Sequence, residues 1–233
     1  MLISLISYVN GVYVDNCLKE KQLVLTFDDG PGNNTNAIMK ILNRNGVSAT
    51  FFINGINVMR ENGWDDIAKL ANGGNIIGSH TFSHPALEKL SDFDVNRELS
   101  DNELIIRYIL NKRPVFFRPP YFSYDDRILK ITERYGYMTI GATLETLDWS
   151  TLNGDAIYNV IVESLRNTSR SFIALQHEQV IQSVGVLDKI IKYVKSKGYS
   201  IVSLSDCLGV EPYRADDTYG PNLEAGIKIR GIK

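Results

Sequence analysis

Two of the three histidines in this 233-residue chain, His80 and His84, lie four positions apart. On one helical turn or a tight loop that spacing lets both imidazoles converge on a single point, as paired histidines do in other zinc sites. Asp29 offers a carboxylate to complete a two-histidine, one-carboxylate set, which leaves a position open for water and is a catalytic arrangement. Each signal is weak alone, because a His-x-x-x-His pair arises by chance on surfaces and Asp-Asp-Gly is usually a turn. Two adjacent carboxylates, Asp28 and Asp29, nevertheless cost repulsion unless a cation or an arginine neutralises them. With Arg118 holding Asp28, one carboxylate binds a metal while the other takes a proton from water there. The third histidine, His177, is then the candidate general acid. Its alternative is a core histidine, and the choice depends on whether Asp148 lies close enough to orient it and keep it protonated.

These residues fall in five clusters: Thr26-Phe27-Asp28-Asp29-Gly30-Pro31, His80-Thr81-Phe82-Ser83-His84, Arg118-Pro119-Pro120-Tyr121, Leu147-Asp148-Trp149 and Leu175-Gln176-His177. All the histidines lie inside them, whereas surface or core histidines would scatter. Each cluster ends an expected strand or begins the loop after it, where a parallel barrel places its active site. Short β-branched runs predict strands at Leu23–Phe27, Ala49–Ile53, Asn75–Gly78, Val115–Phe117, Tyr137–Ile140, Ser171–Leu175 and Tyr199–Ser203. Between them, apolar periodicity and caps predict helices at Thr35–Asn45, Asp65–Ala71, Ser91 or Asp92 to Asn111, Tyr124–Tyr135, Asn153 or Asp155 to Leu165, and Val184–Lys197. The alternation of about seven β/α units, without a glycine-rich nucleotide turn after the first strand, favours a parallel barrel over a doubly wound sheet.

Composition narrows the classes further. Hydrophobic residues make up 44% of the chain, enough for a substantial core, and this excludes a disordered or fibrous protein. Lys+Arg 25 against Asp+Glu 27, with no basic block, excludes a nucleic-acid partner. No run reaches the roughly 18 apolar residues of a transmembrane helix. One domain is expected over residues 17–208, preceded by an N-terminal segment, 1–16, and followed by an extended tail, 209–233, rich in Gly, Pro and charge. Apolar Met1–Val9 reads equally as a signal remnant or as a strand. Cys17 and Cys207 stand at opposite ends of the domain, and their spacing leaves a bond and two buried thiols both open.

The five clusters, in order, resemble the motifs of the polysaccharide deacetylases with a NodB-homology domain, carbohydrate esterase family 4. Ala49-Thr50-Phe51-Phe52 and His84-Pro85-Ala86-Leu87 agree with the flanking text of that family. The resemblance implies an α/β fold, a distorted barrel of seven to eight β/α units, and metal-dependent removal of acetyl groups from N-acetylglucosamine polymers. It makes Asp28 the catalytic base and Asp29, His80 and His84 the ligands of one divalent metal, zinc foremost, with cobalt or another transition metal accepting the same donors. Arg118 would orient Asp28, the Tyr121 N–H would hold the oxyanion, and Asp148 would tune the acid His177. Trp149 and Leu175 would line the acetyl pocket. Fungal chitin deacetylases commonly carry a cysteine before the first motif and a late Cys-Leu-Gly, as Cys17 and Cys207-Leu208-Gly209 do here. That likeness implies a Cys17–Cys207 disulfide and a secreted or cell-wall monomer acting on chitin or chito-oligosaccharides, with no membrane-spanning segment.

Two positions depart from the family text. Phe122 stands where glycine normally follows Arg-Pro-Pro-Tyr, and Glu145 where the fourth motif usually opens with aspartate. A phenylalanine there adds bulk to the groove wall and resists positive φ. It would narrow the groove, turn outward, or stack on a sugar ring as a subsite. A wall protein that keeps the site but turns over chitin poorly is therefore the competing expectation, and an amidohydrolase of small cyclic amides a third.

Overall fold

The computed structural model describes residues 13–215. The expectations for Met1–Val9 and for the tail beyond residue 215 lie outside them. The chain runs β1 (Tyr13–Val14), β2 (Gln22–Gly30), α1 (Thr35–Asn45), β3 (Thr50–Ile53), α2 (Gly55–Val58), α3 (Gly63–Asn72), β4 (Ile76–Ser79) and α4 (Asp92–Leu110). It continues through β5 (Lys112–Pro114), β6 (Phe116–Phe117), α5 (Asp126–Arg134), β7 (Met138–Ile140), β8 (Leu144–Glu145), α6 (Asp148–Thr151) and α7 (Gly154–Ser164). Last come β9 (Phe172–His177), α8 (Ile181–Ser196), β10 (Ser200–Ile201), α9 (Leu204–Leu208) and β11 (Tyr213–Ala215).

The main sheet is parallel in the order β1-β7-β6-β4-β3-β2-β9-β8, and β10 joins the first residues of β2. It curls into a half-barrel. Among the described residues no ladder joins β8 to β1; a single bond from Thr143 Oγ1 to the Asp15 carbonyl, 3.2 Å, spans the gap.

Alternation along β2 shows how the strand makes both a core and a site. Leu23, Leu25 and Phe27 face outward and pack with Ile38 and Leu42 of α1 and Leu187 and Ile191 of α8. Val24 faces inward among Phe52, Phe116, Ile140 and Ile173. The next inward positions are Thr26 and Asp28, so the barrel interior changes from apolar to polar toward the carboxyl ends of the strands. At the opposite end, Leu204 and Cys207 of α9 join the inner apolar cluster.

Helix boundaries follow their caps. Gly46 ends α1 in the left-handed region at φ +61, as its position in sequence predicts. Ser91 Oγ accepts from the Asp94 N–H at the start of α4, and Asn153 Oδ1 accepts from the Ala156 N–H at the start of α7. The expected strand Tyr199–Ser203 shortens to β10, because Ser203 caps α9 through the Asp206 N–H at 3.0 Å. The early part of the expected extended tail runs as a strand. β11 pairs antiparallel with β5, and the Tyr213 hydroxyl accepts from the Ile77 N–H at 2.8 Å.

Candidate active site

Successive side chains of a regular strand point to opposite faces, so adjacent Asp28 and Asp29 should not share a site. A register shift in the β2–β3 ladder between Asp28 and Gly30, with Asp29 in the left-handed region at φ +66, turns both carboxylates toward the loop after β4. That loop carries His80 and His84, and positive φ at Thr81 and His84 brings their imidazoles together, with ring centroids 4.9 Å apart. The tight loop, not a helical turn, realises the four-residue spacing.

Asp29, His80 and His84 each offer a ligand atom, all within 4.8 Å of one another. Asp29 Oδ1 lies 3.5 Å from His80 Nε2 and 3.1 Å from His84 Nε2, yet it is buried without a hydrogen-bond donor. The tautomer of His80 explains why. Its Nδ1 lies 2.6 Å from the Arg118 carbonyl, which can only accept, so Nδ1 carries the proton and the Nε2 lone pair faces the carboxylate. Burial also lowers the His80 pKa, more than Asp28 and Asp29 raise it. Burial alone would raise the Asp29 carboxyl, but the neighbouring His84 and His80 imidazoles bring it down to about 2. Two imidazole nitrogens and a carboxylate oxygen converging on one point fit a divalent cation.

Arg118 is wholly buried and fixes Asp28 from the other side. Its Nη1 donates to Asp28 Oδ1 at 2.8 Å and to Thr26 Oγ1 at 2.6 Å, and its Nη2 donates to the Gly141 carbonyl at 2.8 Å. The Phe52 ring lies 4.3 Å from the guanidinium carbon. Asp28 Oδ2 lies 3.8 Å from His80 Nε2.

His177 is paired rather than packed in the core. Its Nδ1 donates to Asp148 Oδ1 at 2.7 Å, while Asp148 Oδ2 accepts from the His177 N–H at 2.7 Å and from Ser183 Oγ at 2.6 Å. Burial opposes the charged imidazole, but the bond to Asp148 and the negative charges of Asp28, Asp148 and Asp29 outweigh it and raise the pKa. Asp148 is likewise buried, which favours its neutral form, but its bonds from His177 and Ser183 lower its pKa.

Tyr121 is 70% exposed and meets His84 edge-on, with centroids 4.6 Å apart, while Trp149 is exposed and Leu175 buried. Phe122 takes the left-handed conformation at φ +50 despite its side chain, and its half-buried ring lies 6.0 Å from the Arg118 guanidinium carbon. It therefore does not turn fully outward. Beside it lies a cavity of about 600 Å³ lined by His84, Pro85, Ala86, Glu88, Lys89, Tyr121, Phe122 and Ser123. Glu145 is exposed on β8.

Sequence reasoning missed the residues that hold these groups in place. Asn54 Nδ2 donates to the His80 carbonyl at 2.6 Å, and Asn57 Nδ2 and Gln179 Nε2 both donate to the Asp29 carbonyl. Arg60 donates to the Pro31 and Gly32 carbonyls, and Glu178 accepts from the Gly32 N–H. The one available signal was the run of polar residues, Gln176 to Gln179, at the end of an otherwise apolar strand.

A family model described as polysaccharide deacetylase matches residues 15–140. The chain is 34% identical over 209 residues to a chitin deacetylase of Pestalotiopsis sp, covering 85% of this chain and 67% of that protein. It is also 34% identical over 188 residues to a peptidoglycan-N-acetylglucosamine deacetylase of Bacillus cereus, covering 78% of this chain and 66% of that protein. The chain thus spans about two thirds of the length of both relatives. The solved chitin deacetylase of the fungal pathogen Colletotrichum lindemuthianum superposes with a TM-score of 0.84 at 31% identity, over 91% of this chain and 99% of that one.

Proposed function

The chain belongs to the polysaccharide deacetylase family, and we propose that it is a metal-dependent hydrolase that removes N-acetyl groups from chitin or chito-oligosaccharides and releases acetate. The observation that carries this reading is the convergence of an Arg118-held Asp28 and an Asp148-held His177 on the donor set Asp29, His80 and His84. The chitin deacetylase relatives support the substrate, and the Cys17–Cys207 bond supports an oxidising compartment, hence a secreted or wall-associated protein.

A divalent cation held by Asp29, His80 and His84, zinc foremost by donor type, would polarise the amide carbonyl and lower the pKa of a neighbouring water. Asp28 acts as general base: Arg118 engages Oδ1, leaving Oδ2 to take the proton as water oxygen adds to the acetyl carbon. The Tyr121 N–H stabilises the oxyanion. His177, its Nδ1–H held by Asp148, donates the Nε2 proton to the departing amine as the C–N bond breaks, leaving acetate and a free amino sugar. Trp149 and Leu175 form apolar walls for the acetyl methyl, and Phe122 with Tyr121 bounds the groove.

Acetate release from a chito-oligosaccharide series tests the reading, with bound metal quantified and zinc or cobalt restored after chelation. Release that needs metal and is abolished in Asp28→Asn is the expected result. Stoichiometric metal with no release from any chain length would overturn the chitin assignment and direct the assay to N-acetylglucosamine in peptidoglycan.

A further inference from the structure

Glu178 follows His177 and has no exposed surface, yet neither the base, the acid nor the donor set uses it. Its carboxylate is inserted beneath the turn that follows Asp28 and Asp29. Oε1 accepts from the Gly32 N–H at 2.7 Å and from the Thr35 hydroxyl, and the Glu178 N–H donates to the Asp28 carbonyl at 3.1 Å. Asn34 Nδ2 closes the contact from the far side by donating to the Glu178 carbonyl at 3.1 Å. The carboxylate fits because residue 30 is glycine: a Cβ there would overlap Glu178 Oε2.

We propose that Glu178 is the positioning residue that fixes the Asp28–Asp29 turn for metal binding, locking the base and ligand strand to the acid strand. This inference rests on the metal reading of Asp29, His80 and His84. Asp29 takes positive φ, a conformation that L-residues enter at a cost and that surrounding bonds must hold. Glu178 holds the bulge from both sides, its side chain accepting from Gly32 just beyond Gly30 and its backbone N–H donating to the Asp28 carbonyl, while Gln179 Nε2 and Asn57 Nδ2 hold the Asp29 carbonyl between them at 2.9 and 2.8 Å. Without the carboxylate, the half-buried Gly32 N–H keeps only the Thr35 hydroxyl as acceptor and the turn can relax out of the bulge, moving Asp29 Oδ1 away from the two imidazoles. Burial lifts the Glu178 carboxyl to about 7, and the contact to Gly32 needs an acceptor oxygen at Oε1, which an amide of the same shape also presents.

The test is zinc affinity of the full chain, measured by competition with a chelating dye, across Glu178→Gln, Glu178→Asp and Glu178→Leu, with metal-free thermal midpoints recorded in parallel. Outer-shell partners of metal ligands are typically worth about 10- to 100-fold in affinity. Glu178→Leu should weaken zinc by that factor. Glu178→Asp, one methylene shorter than the reach to Gly32, should fall between, and Glu178→Gln should bind within about threefold of the parent. The Asp and Gln variants keep the series readable if Glu178→Leu does not fold. Asn153→Ala, which loosens a helix start away from the site, should lower the midpoint without changing affinity. Equal zinc affinity in all folded Glu178 variants would overturn the positioning role while leaving the deacetylase reading intact. A parent protein that takes up no cation would overturn both.

Discussion

The proposed acid, His177, owes its raised pKa first to its bond with Asp148 and then to the charges of Asp28, Asp148 and Asp29. As the proposed acid, His177 would donate its proton while charged, so activity would be present below its pKa and lost as pH rises through it. Burial alone would lower that pKa, and Asp148 is the first of the groups that reverse the shift. In Asp148→Asn, the alkaline limb of the pH–rate profile for acetate release should therefore move to lower pH. His177→Ala should cost about 10²- to 10⁴-fold in turnover, the usual worth of a general acid. An unmoved limb in the Asp148 variant would remove His177 from that role. Phe122 is the other residue with a decisive substitution. Its left-handed backbone costs roughly 1–2 kcal/mol, of which glycine would return part after its own entropic cost of roughly 0.5–1 kcal/mol. Phe122→Gly should raise the thermal midpoint slightly and increase turnover by opening the groove wall. An unchanged or lower rate would show that the ring does not obstruct substrate.

At the scale of elements, long periodic segments match their sequence signals. Thr35–Asn45 has the boundaries that its apolar face and Gly46 predict, and α4 begins after Ser91 as its cap implies. Asn153 plays the same part for α7, and Asn153→Ala should destabilise the fold by about 1 kcal/mol in denaturant melts while leaving acetate release unchanged. The elements that escaped sequence reading are short: α2, α6 and α9 have four or five residues, and β8 has two. None of these completes enough of a period for a pattern to register, and their conformations come from caps and from neighbouring strands. The bulge in β2 belongs to the same group. Nothing in Thr26-Phe27-Asp28-Asp29-Gly30 distinguishes an alternating strand from one that presents two consecutive carboxylates on one side.

Across the whole molecule, the Cys17–Cys207 bond ties the approach to β2 to α9 over a separation of 190 residues. By loop-closure entropy it contributes about 4–5 kcal/mol. Reduction should lower the thermal midpoint markedly, and thiol titration of the denatured, unreduced protein should find no free thiol. Sequence alone determined the α/β alternation, the five clusters and the identity of the residues that could bind a metal, because periodicity and side-chain chemistry are local properties of the chain. It left open the pairing of the two cysteines, the direction of Phe122 and the partner of His177. Those were decided by tertiary structure, since each depends on how the folded chain places groups that no local pattern relates: Cys17 and Cys207, the Phe122 ring and Arg118, and Asp148 and His177. The curled parallel sheet brings the carboxyl ends of its strands to one rim, and burial there makes an unpaired charge or lone pair costly, so the positions of these groups relative to one another follow from the fold.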